Sequence, residues 1–209
     1  MNYFVTGTDT GVGKTYVSCL ILKALREAGR SVIAYKPACC GDRDDVLDLH
    51  EACDRDDLTI DEINPLWLQS PAAPLAAAMI ENREVDFDAL VERGRQLATR
   101  AERLIVEGAG GWEVPLTGKL TMADLAVALG FPVIVVIDNK LGALNHTILT
   151  VRQIEARGLK CAGLILNQVA EERDAASISN RIVLQQLLDV PILAELLHDA
   201  DEIELPDDF

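Results

Sequence analysis

Short apolar runs alternate along the chain with stretches in which apolar residues recur every three or four positions. The runs predict buried strands at residues 2–6, 31–35, 104–106, 132–137 and 161–166, and an edge strand at 191–193. The periodic stretches predict helices at residues 15–28, 87–98, 121–129, 145–157 and 176–188. Because the strands are apolar on both faces and alternate with helices, we expect an α/β fold. Its sheet should be mainly parallel and doubly wound, with helices on both faces.

Capping residues support several of these boundaries. Glycine follows three predicted helices, at Gly29, Gly130 and Gly158, where it commonly ends a helix. Asp86 and Asn145 are the predicted N-caps of the helices at 87–98 and 145–157. No repeat, low-complexity tract or linker interrupts the pattern, so we expect residues 1–209 to form one domain.

The charge of the chain narrows its possible partners. It has 34 Asp and Glu residues against 19 Lys and Arg, a net charge of −15. So negative a surface repels nucleic acid and anionic lipid, and we expect neither as a partner. Residues 42–62 and 199–209 hold 16 of the acids, which favours solvated surface in both stretches. The 49% of hydrophobic residues excludes a wholly disordered acidic chain.

Cysteine usage and the N-terminal sequence indicate the compartment. The five cysteines are an odd number, and no Cys/His spacing fits a zinc site. The first residues lack the basic region of a secretory signal, and no apolar run reaches 18 residues. We therefore expect free thiols and a cytoplasmic location.

A glycine-rich segment, GTDTGVGKT at residues 7–15, joins the first predicted strand to the first predicted helix. Its end, Gly13-Lys14-Thr15, matches a Walker A loop, although Thr8 stands where the strict motif has its first glycine. In such a loop, backbone N–H groups and the helix start surround a phosphate. Lys14 can reach the β- and γ-oxygens, and the Thr15 hydroxyl can join a Mg²⁺ shell. The alternative is a structural turn with an incidental lysine.

Residues with candidate chemical roles follow three other predicted strands. Lys36 precedes a proline that favours an extended backbone, so its ammonium can offset charge on a transferring phosphoryl group. Glu107, followed by Gly108-Ala109-Gly110-Gly111, is similar to a Walker B carboxylate that holds Mg²⁺. Residues 167–168, an Asn-Gln pair, suit the edge of a purine. The alternatives are a solvated lysine, a glycine-rich turn with a surface Glu, and a polar turn.

In this order, the strings resemble the ATP-dependent dethiobiotin synthetases of biotin biosynthesis. The matches are GTDTGVGKT at 7–15, KPxxxG at 36–41, VEGAGGW at 106–112 and KLGALNHTILT at 140–150. The resemblance implies a P-loop NTPase-like fold, a homodimer, and the use of ATP and Mg²⁺. It also implies a reaction in which 7,8-diaminononanoate takes up CO₂ as a carbamate and receives the γ-phosphate. Ring closure by the second amine then gives dethiobiotin, ADP and phosphate.

The resemblance further implies roles for individual residues. Lys36 and Lys14 would be catalytic, and Thr15, Asp45 and Glu107 would bind Mg²⁺, with Asp44 as a rival to Asp45. Substrate would be bound by Lys36, Cys40, Gly142 and Asn145, the last two holding its carboxylate across a dimer interface. ATP would be bound by Gly11, Val12, Gly13, Lys14, Thr15, Tyr16, Asp45, Glu107, Gly108, Ala109, Gly110, Asn167 and Gln168.

The chain departs from the family pattern at three places. Cys40 stands where the family commonly has Ser or Thr, so a thiol replaces a better hydrogen-bonding hydroxyl. The stretch between Lys36 and Asp45 is shorter than in many members, which leaves the choice between Asp44 and Asp45 open. On the nucleotide side, residues 194–198 read AELLH where the family usually has Gly-x-Ile-Pro, and Gln168 replaces an Asp often found beside Asn167. These departures concern the contacts to substrate, to Mg²⁺ and to the nucleotide base.

Two other functions share these loops. Switch ATPases of the partitioning type have a phosphate loop that resembles KGGxGK[ST], but Asp9 stands here at the position of their signature lysine. The charge of −15 also disfavours the DNA or membrane partners of such proteins. A ligase of the cobyrinic acid diamide synthase kind needs a glutaminase domain, for which 209 residues leave no room.

Overall fold

Alternating strands and helices dominate residues 1–206 and 209, which the computed structural model describes. The strands are β1 (Tyr3–Gly7), β2 (Val32–Tyr35), β3 (Ala38–Cys40), β4 (Leu66–Leu68), β5 (Arg103–Gly111), β6 (Val133–Asp138), β7 (Cys161–Asn167) and β8 (Ile192–Leu196). The helices are α1 (Lys14–Glu27), α2 (Asp44–Cys53), α3 (Ile60–Ile63), α4 (Pro74–Ile80), α5 (Phe87–Leu97), α6 (Met122–Leu129), α7 (Ala143–Ala156) and α8 (Ala175–Leu187).

The main sheet has six strands in the order β2-β5-β1-β6-β7-β8. Every pair of neighbours in it is parallel, and β8 forms one edge, as the sequence predicts. All the carboxyl ends therefore lie along one side of the sheet, where ligands bind in folds of this kind. Tyr35 pairs with Val106 across β2 and β5, so the residues that follow them are neighbours in space.

The sheet has an apolar core on each face. Phe4 and Leu104 pack on one side with residues of α5, α6, α7 and α8, whereas the adjacent Val5 and Ile105 pack on the other with α1 and α2. Successive side chains of a strand point to opposite faces, so fully apolar strands need helices on both. The predicted doubly wound architecture is confirmed.

The region between β2 and α5 contains five elements that the sequence pattern does not predict. β3 and β4 pair in parallel as a separate two-stranded sheet, each only three residues long. In α2, the residues Val46, Leu49 and Cys53 are buried, whereas most of its acids are exposed, namely Asp44, Asp48 and Glu51. The acidic stretch 42–62 is thus solvated on one face only, and its apolar face belongs to the core.

Two predicted boundaries are wrong. Asn145 is not an N-cap: α7 begins at Ala143, and Gly142 caps it with a φ of 93°, a left-handed conformation that favours glycine. The third predicted strand does not stop at Glu107, because β5 continues through the glycines to Gly111, which pairs with Gly7 of β1. The glycine-rich segment after Glu107 is therefore part of the sheet.

Within the acidic C-terminal stretch, of which residues 207 and 208 lie outside the described residues, Ile203 and Phe209 pack against the domain. Ile203 is buried, and the Phe209 ring stacks on Tyr3 with centroids 4.5 Å apart. Arg103 donates a hydrogen bond to the Phe209 carbonyl at 3.2 Å. The sequence predicts only solvated surface here, because the isolated apolar residues show no period. Within residues 1–206 and 209, no helix has the length and apolar character needed to cross a membrane.

Candidate active site

A cleft of about 970 Å³ opens at the carboxyl ends of β1, β2 and β5. The segment between β1 and α1 forms one wall, and Lys36 and Glu107 lie at its base. The start of α2 contributes Asp45, and the loop before α4 closes the far side. Residues that the sequence separates by up to about 100 positions thus meet because parallel strands end on one edge.

The loop before α1 has the shape of a phosphate cradle. Gly11 and Gly13 adopt φ values of 75° and 84°, which turn successive backbone N–H groups inward. The Asn167 side chain donates to the Val12 carbonyl at 2.9 Å, which ties the loop to the end of β7. A Cβ atom on Gly13 would lie only 2.3 Å from Asn167 Nδ2, so glycine is required there.

Lys14 lies within this loop rather than in solvent. Lys14 is 8% exposed, and its ammonium donates to the Asp9 carbonyl at 3.1 Å. Burial lowers the pKa of Lys14, and the nearby Glu107 carboxylate opposes that shift without cancelling it. A triphosphate bound in the cradle would supply the anionic partner that this lysine lacks.

A cluster of charged groups occupies the base of the cleft. Lys36 donates to Glu107 Oε1 at 2.8 Å and also bonds Asp45 Oδ2. The Thr15 hydroxyl donates to the same Glu107 Oε1 at 2.7 Å. Lys36 and Glu107 are both buried, whereas the Asp45 side chain is half-exposed. The cluster therefore joins the ends of β2 and β5 to the starts of α1 and α2.

The two carboxylates hold Lys36 in its charged form. Burial alone lowers the pKa of Lys36, but Glu107 and Asp45 outweigh it and raise that pKa above its ordinary value. Burial likewise raises the pKa of Asp45, yet the Lys36 ammonium outweighs it and lowers that pKa. Lys36 is consequently a fixed cation throughout the neutral pH range, not a general base.

The donor set fits a hard divalent cation. Glu107 Oε2 is buried without a hydrogen-bond partner among the described residues, while Oε1 is occupied by Lys36 and Thr15. A buried carboxylate oxygen rarely stays unpartnered unless a ligand satisfies it. Carboxylate and hydroxyl oxygens are the ligands that Mg²⁺ accepts. Asp45, unlike Asp44, lines the cleft and contacts Lys36, so the geometry favours Asp45 of the two rivals.

Comparisons with known proteins identify the family to which the chain belongs. A family profile described as an AAA domain matches residues 1–201. The ATP-dependent dethiobiotin synthetase BioD of Akkermansia muciniphila is 47% identical, over 98% of this chain and 95% of that protein. This chain belongs to the ATP-dependent dethiobiotin synthetase family. The BioD of Anaeromyxobacter dehalogenans strain 2CP-1 is also 47% identical, over 88% of this chain and 84% of its own length.

Solved structures share the fold of this synthetase family member at low identity. Cell division protein FtsY of Thermotoga maritima superimposes with a TM-score of 0.60 at 18% identity, and the match covers 99% of this chain and 65% of FtsY. The septum site-determining protein MinD of Pyrococcus horikoshii gives 0.58 at 19% identity, over 95% of this chain and 82% of MinD. These similarities establish the P-loop NTPase fold alone.

Not every residue that the dethiobiotin synthetase resemblance singles out lies in the cleft. Asn167 is buried against the phosphate loop, and Gln168 donates to the Ala170 and Glu172 carbonyls at 3.0 and 3.2 Å. Gly142 and Asn145, at the start of α7, are outside the set of described residues that line it. The structure thus brings together the residues predicted to bind phosphate and Mg²⁺, whereas the residues predicted to contact the base and the substrate carboxylate lie elsewhere.

The wall that faces Cys40 is a feature that the sequence analysis misses. It consists of the loop at residues 71–74, with sequence PAAP, together with Val114. Burial raises the pKa of Cys40 to about 11, so this thiol is neutral. The signal available in the sequence was the proline at the start of α4, which is typical of a first helical position.

Replacing Gly13 with alanine should weaken MgATP binding at least tenfold. The new Cβ would both overlap Asn167 and demand a left-handed backbone, which costs about 1–2 kcal/mol for a residue other than glycine. Isothermal titration with a non-hydrolysable ATP analogue measures the effect. Gly29→Ala is the matched control, because Gly29 has a φ of 76° but no atom within 4 Å of its Cβ position. Equal losses of affinity in the two variants would contradict the role of the cradle.

Proposed function

We propose that this chain is an ATP-dependent dethiobiotin synthetase that carboxylates 7,8-diaminononanoate and closes the cyclic urea. The observation that carries the proposal is the Lys36–Glu107–Asp45 cluster facing a phosphate cradle across one cleft. In a member of this family, that arrangement supplies the electrostatics needed for phosphoryl transfer to a carbamate. We take residues 1–209 as one ligase domain acting in the cytoplasm.

The triphosphate of ATP would lie in the cradle. The backbone N–H groups of residues 11–15 would donate to its oxygens at the start of α1, and Lys14 would reach the β- and γ-phosphates. Tyr16, Gly108, Ala109 and Gly110 line the same cleft beside that position. Asn167 and Gln168 lie at the end of β7, from which the nucleotide base would be contacted. The negative surface does not prevent this binding, because Lys14 and the loop amides meet the triphosphate locally.

Thr15, Asp45 and Glu107 would hold Mg²⁺, with Glu107 Oε2 as the unpartnered oxygen available to it. When bound, the ion supplies charge neutralisation for the triphosphate. Lys36 would still hold its own contact with Glu107, because that contact uses the other oxygen.

The chemistry would proceed in three balanced steps. One substrate amine adds to CO₂ and loses a proton, which forms a carbamate. A carbamate oxygen then attacks the γ-phosphorus and breaks its bond to the ADP oxygen. The second amine attacks the carbamoyl carbon and loses a proton to solvent, and the bond from that carbon to the phosphate oxygen breaks, so that phosphate leaves as the ring closes. Lys36 stabilises the negative charge on the carbamate and on the transferring phosphoryl group, since its ammonium is fixed by two carboxylates.

The substrate would extend from Lys36 past Cys40. The apolar wall at residues 71–74 and Val114 suits its aliphatic chain. Its carboxylate would reach Gly142 and Asn145 of the partner subunit in a homodimer. That proposal is supported by the exposed apolar side chains Leu141 and Leu149 on α7 and its preceding loop.

One similarity favours a second candidate, a nucleotide-switch ATPase, because MinD shares the fold. The two functions differ in what limits ATP turnover. Phosphate release should depend on both the diamine and bicarbonate, and dethiobiotin should be the product. A rate of phosphate release that ignores the diamine would overturn the synthetase proposal and favour the switch.

A further inference from the structure

The start of α7 is held locally by two backbone hydrogen bonds, from the Ala143 N–H to the Lys140 carbonyl at 3.1 Å and from the Lys140 N–H to the Asp138 carbonyl at 2.9 Å. Gly142 caps the helix without a side-chain hydrogen bond, and Leu141 before it is 80% exposed. A short loop with a glycine cap and an exposed leucine has many accessible conformations. Contacts from outside the loop therefore add to these local turns in fixing the direction in which the N–H groups of the first turn of α7 point.

That support comes from α8. The Asn180 amide donates to Asn139 Oδ1 at 2.9 Å and to the Lys140 carbonyl at 3.1 Å. Asn139 in turn donates to the Ser177 carbonyl at 3.0 Å. Both asparagines are 1% exposed, so these bonds form in the interior. These bonds hold Asn139 and Lys140, and a further contact holds Leu141, the next residue of the loop.

The next contact is made by Asp174, the N-cap of α8. One of its carboxylate oxygens accepts from the Leu141 N–H at 3.0 Å, and the other accepts from Ser177 N–H at 2.6 Å. Asp174 itself is exposed, but it couples the first turn of α8 to the loop. The Asn139–Asn180 pair is buried, and a buried polar pair favours a single arrangement, because the alternatives leave a donor or acceptor unpaired.

The network also reaches the phosphate cradle. The Asn139 N–H donates to the Asn167 carbonyl at 2.8 Å, and the Asn167 side chain holds the Val12 carbonyl. A continuous path of hydrogen bonds thus links the loop before α7 to the loop before α1. A pair of apolar residues would fill the same space without fixing either loop.

We propose that Asn139, Asn180 and Asp174 are positioning residues that set the α7 N-terminus for the substrate carboxylate. The inference rests on the proposed function, which places that carboxylate at Gly142 and Asn145. The three residues touch no substrate atom. They hold the loop at residues 139–142 in the conformation in which the helix start accepts the anion.

The test is carboxylate selectivity. It is the ratio of kcat/KM for 7,8-diaminononanoate to that for 2,3-diaminononane, in which a methyl group replaces the carboxylate. Asn180→Leu keeps the side-chain size and removes the donor, and should lower the ratio about tenfold. The KM for ATP and the rate with 2,3-diaminononane should stay within about twofold. A purely structural role would reduce the rates with both diamines together and leave the ratio unchanged.

A second variant covers the case in which Asn180→Leu fails to fold. Asp174→Asn keeps a good N-cap at an exposed position and loses one of the two acceptors, so the ratio should fall in the same direction. Ser179→Ala, on the same helix with hydroxyl contacts only to Ala175 and Ala176, is the control and should keep the ratio. A folded Asp174→Asn enzyme with wild-type selectivity would overturn the positioning role.

Different results would refute the proposed function and the positioning role. Wild-type enzyme that forms no dethiobiotin from 7,8-diaminononanoate would refute the proposed function itself. Wild-type enzyme that forms dethiobiotin, but uses both diamines equally, would refute the carboxylate site and the positioning role with it. Wild-type enzyme that prefers the acid, together with variants that prefer it equally, would refute the positioning role alone.

Discussion

Lys36→Ala is expected to lower kcat about a thousandfold while leaving the Kd for MgATP within about threefold. Turnover needs the fixed ammonium, whereas the phosphate cradle makes no contact with it. The Lys36 ammonium is instead bonded to Glu107 and Asp45. Removing it leaves Glu107 buried without a cation, so the free energy of unfolding should also fall by about 3 kcal/mol. Phosphate release and calorimetric titration at a temperature well below Tm separate the two effects.

Lys160→Ala is the control for loss of a lysine. Lys160 is exposed and directly precedes β7. It therefore lies at the amino ends of the parallel strands, whereas the cleft lies at their carboxyl ends. Its kcat should match that of the wild type. Retention of more than a tenth of the wild-type kcat in Lys36→Ala would contradict the electrostatic role that we assign to Lys36.

Glu107→Gln is expected to raise the Mg²⁺ concentration needed for half-maximal activity about 10- to 100-fold. It should lower kcat/KM about a hundredfold at the Mg²⁺ level that saturates the wild type. The substitution keeps the shape of the side chain but removes the charge from the unpartnered Oε2. Phosphate release measured across a Mg²⁺ titration gives both quantities.

Glu113→Gln is the matched control, since Glu113 follows the same strand. Its carboxylate is partly exposed and pairs with Arg157 at 3.0 Å, a surface ion pair worth at most about 1 kcal/mol. The Mg²⁺ requirement of this variant should be unchanged. If Glu107→Gln also kept the wild-type Mg²⁺ requirement, Glu107 would not be a metal ligand.

The sequence predicts the part of the fold that has a long, regular period. The six strands of the main sheet and helices such as α1 and α5 follow from apolar runs and periodic stretches. The region between β2 and α5 is different, because β3 and β4 are too short to show a period. The capping box at Thr59 and Glu62 and the apolar spacing of Val46, Leu49 and Cys53 were signals that could have located two of its helices.

The site, like the fold, could be predicted from the sequence only in part. Lys36 and Glu107 come after neighbouring strands, so their meeting could be expected once the parallel sheet was inferred. The wall at residues 71–74 and the α8 network could not. Both depend on contacts between loops whose positions are set by tertiary packing rather than by local preference. Asn145 was misplaced for the same reason, since Gly142 with its left-handed backbone ends the loop earlier.

The most direct measurement of the central claim is the transfer of labelled carbon from bicarbonate. The enzyme would be incubated with ¹³C-bicarbonate, 7,8-diaminononanoate and MgATP, and product and phosphate would be quantified by mass spectrometry and a phosphate assay. The account predicts dethiobiotin that carries one ¹³C at the urea carbon, formed in equal amount to the phosphate released. Phosphate released without labelled dethiobiotin would contradict it.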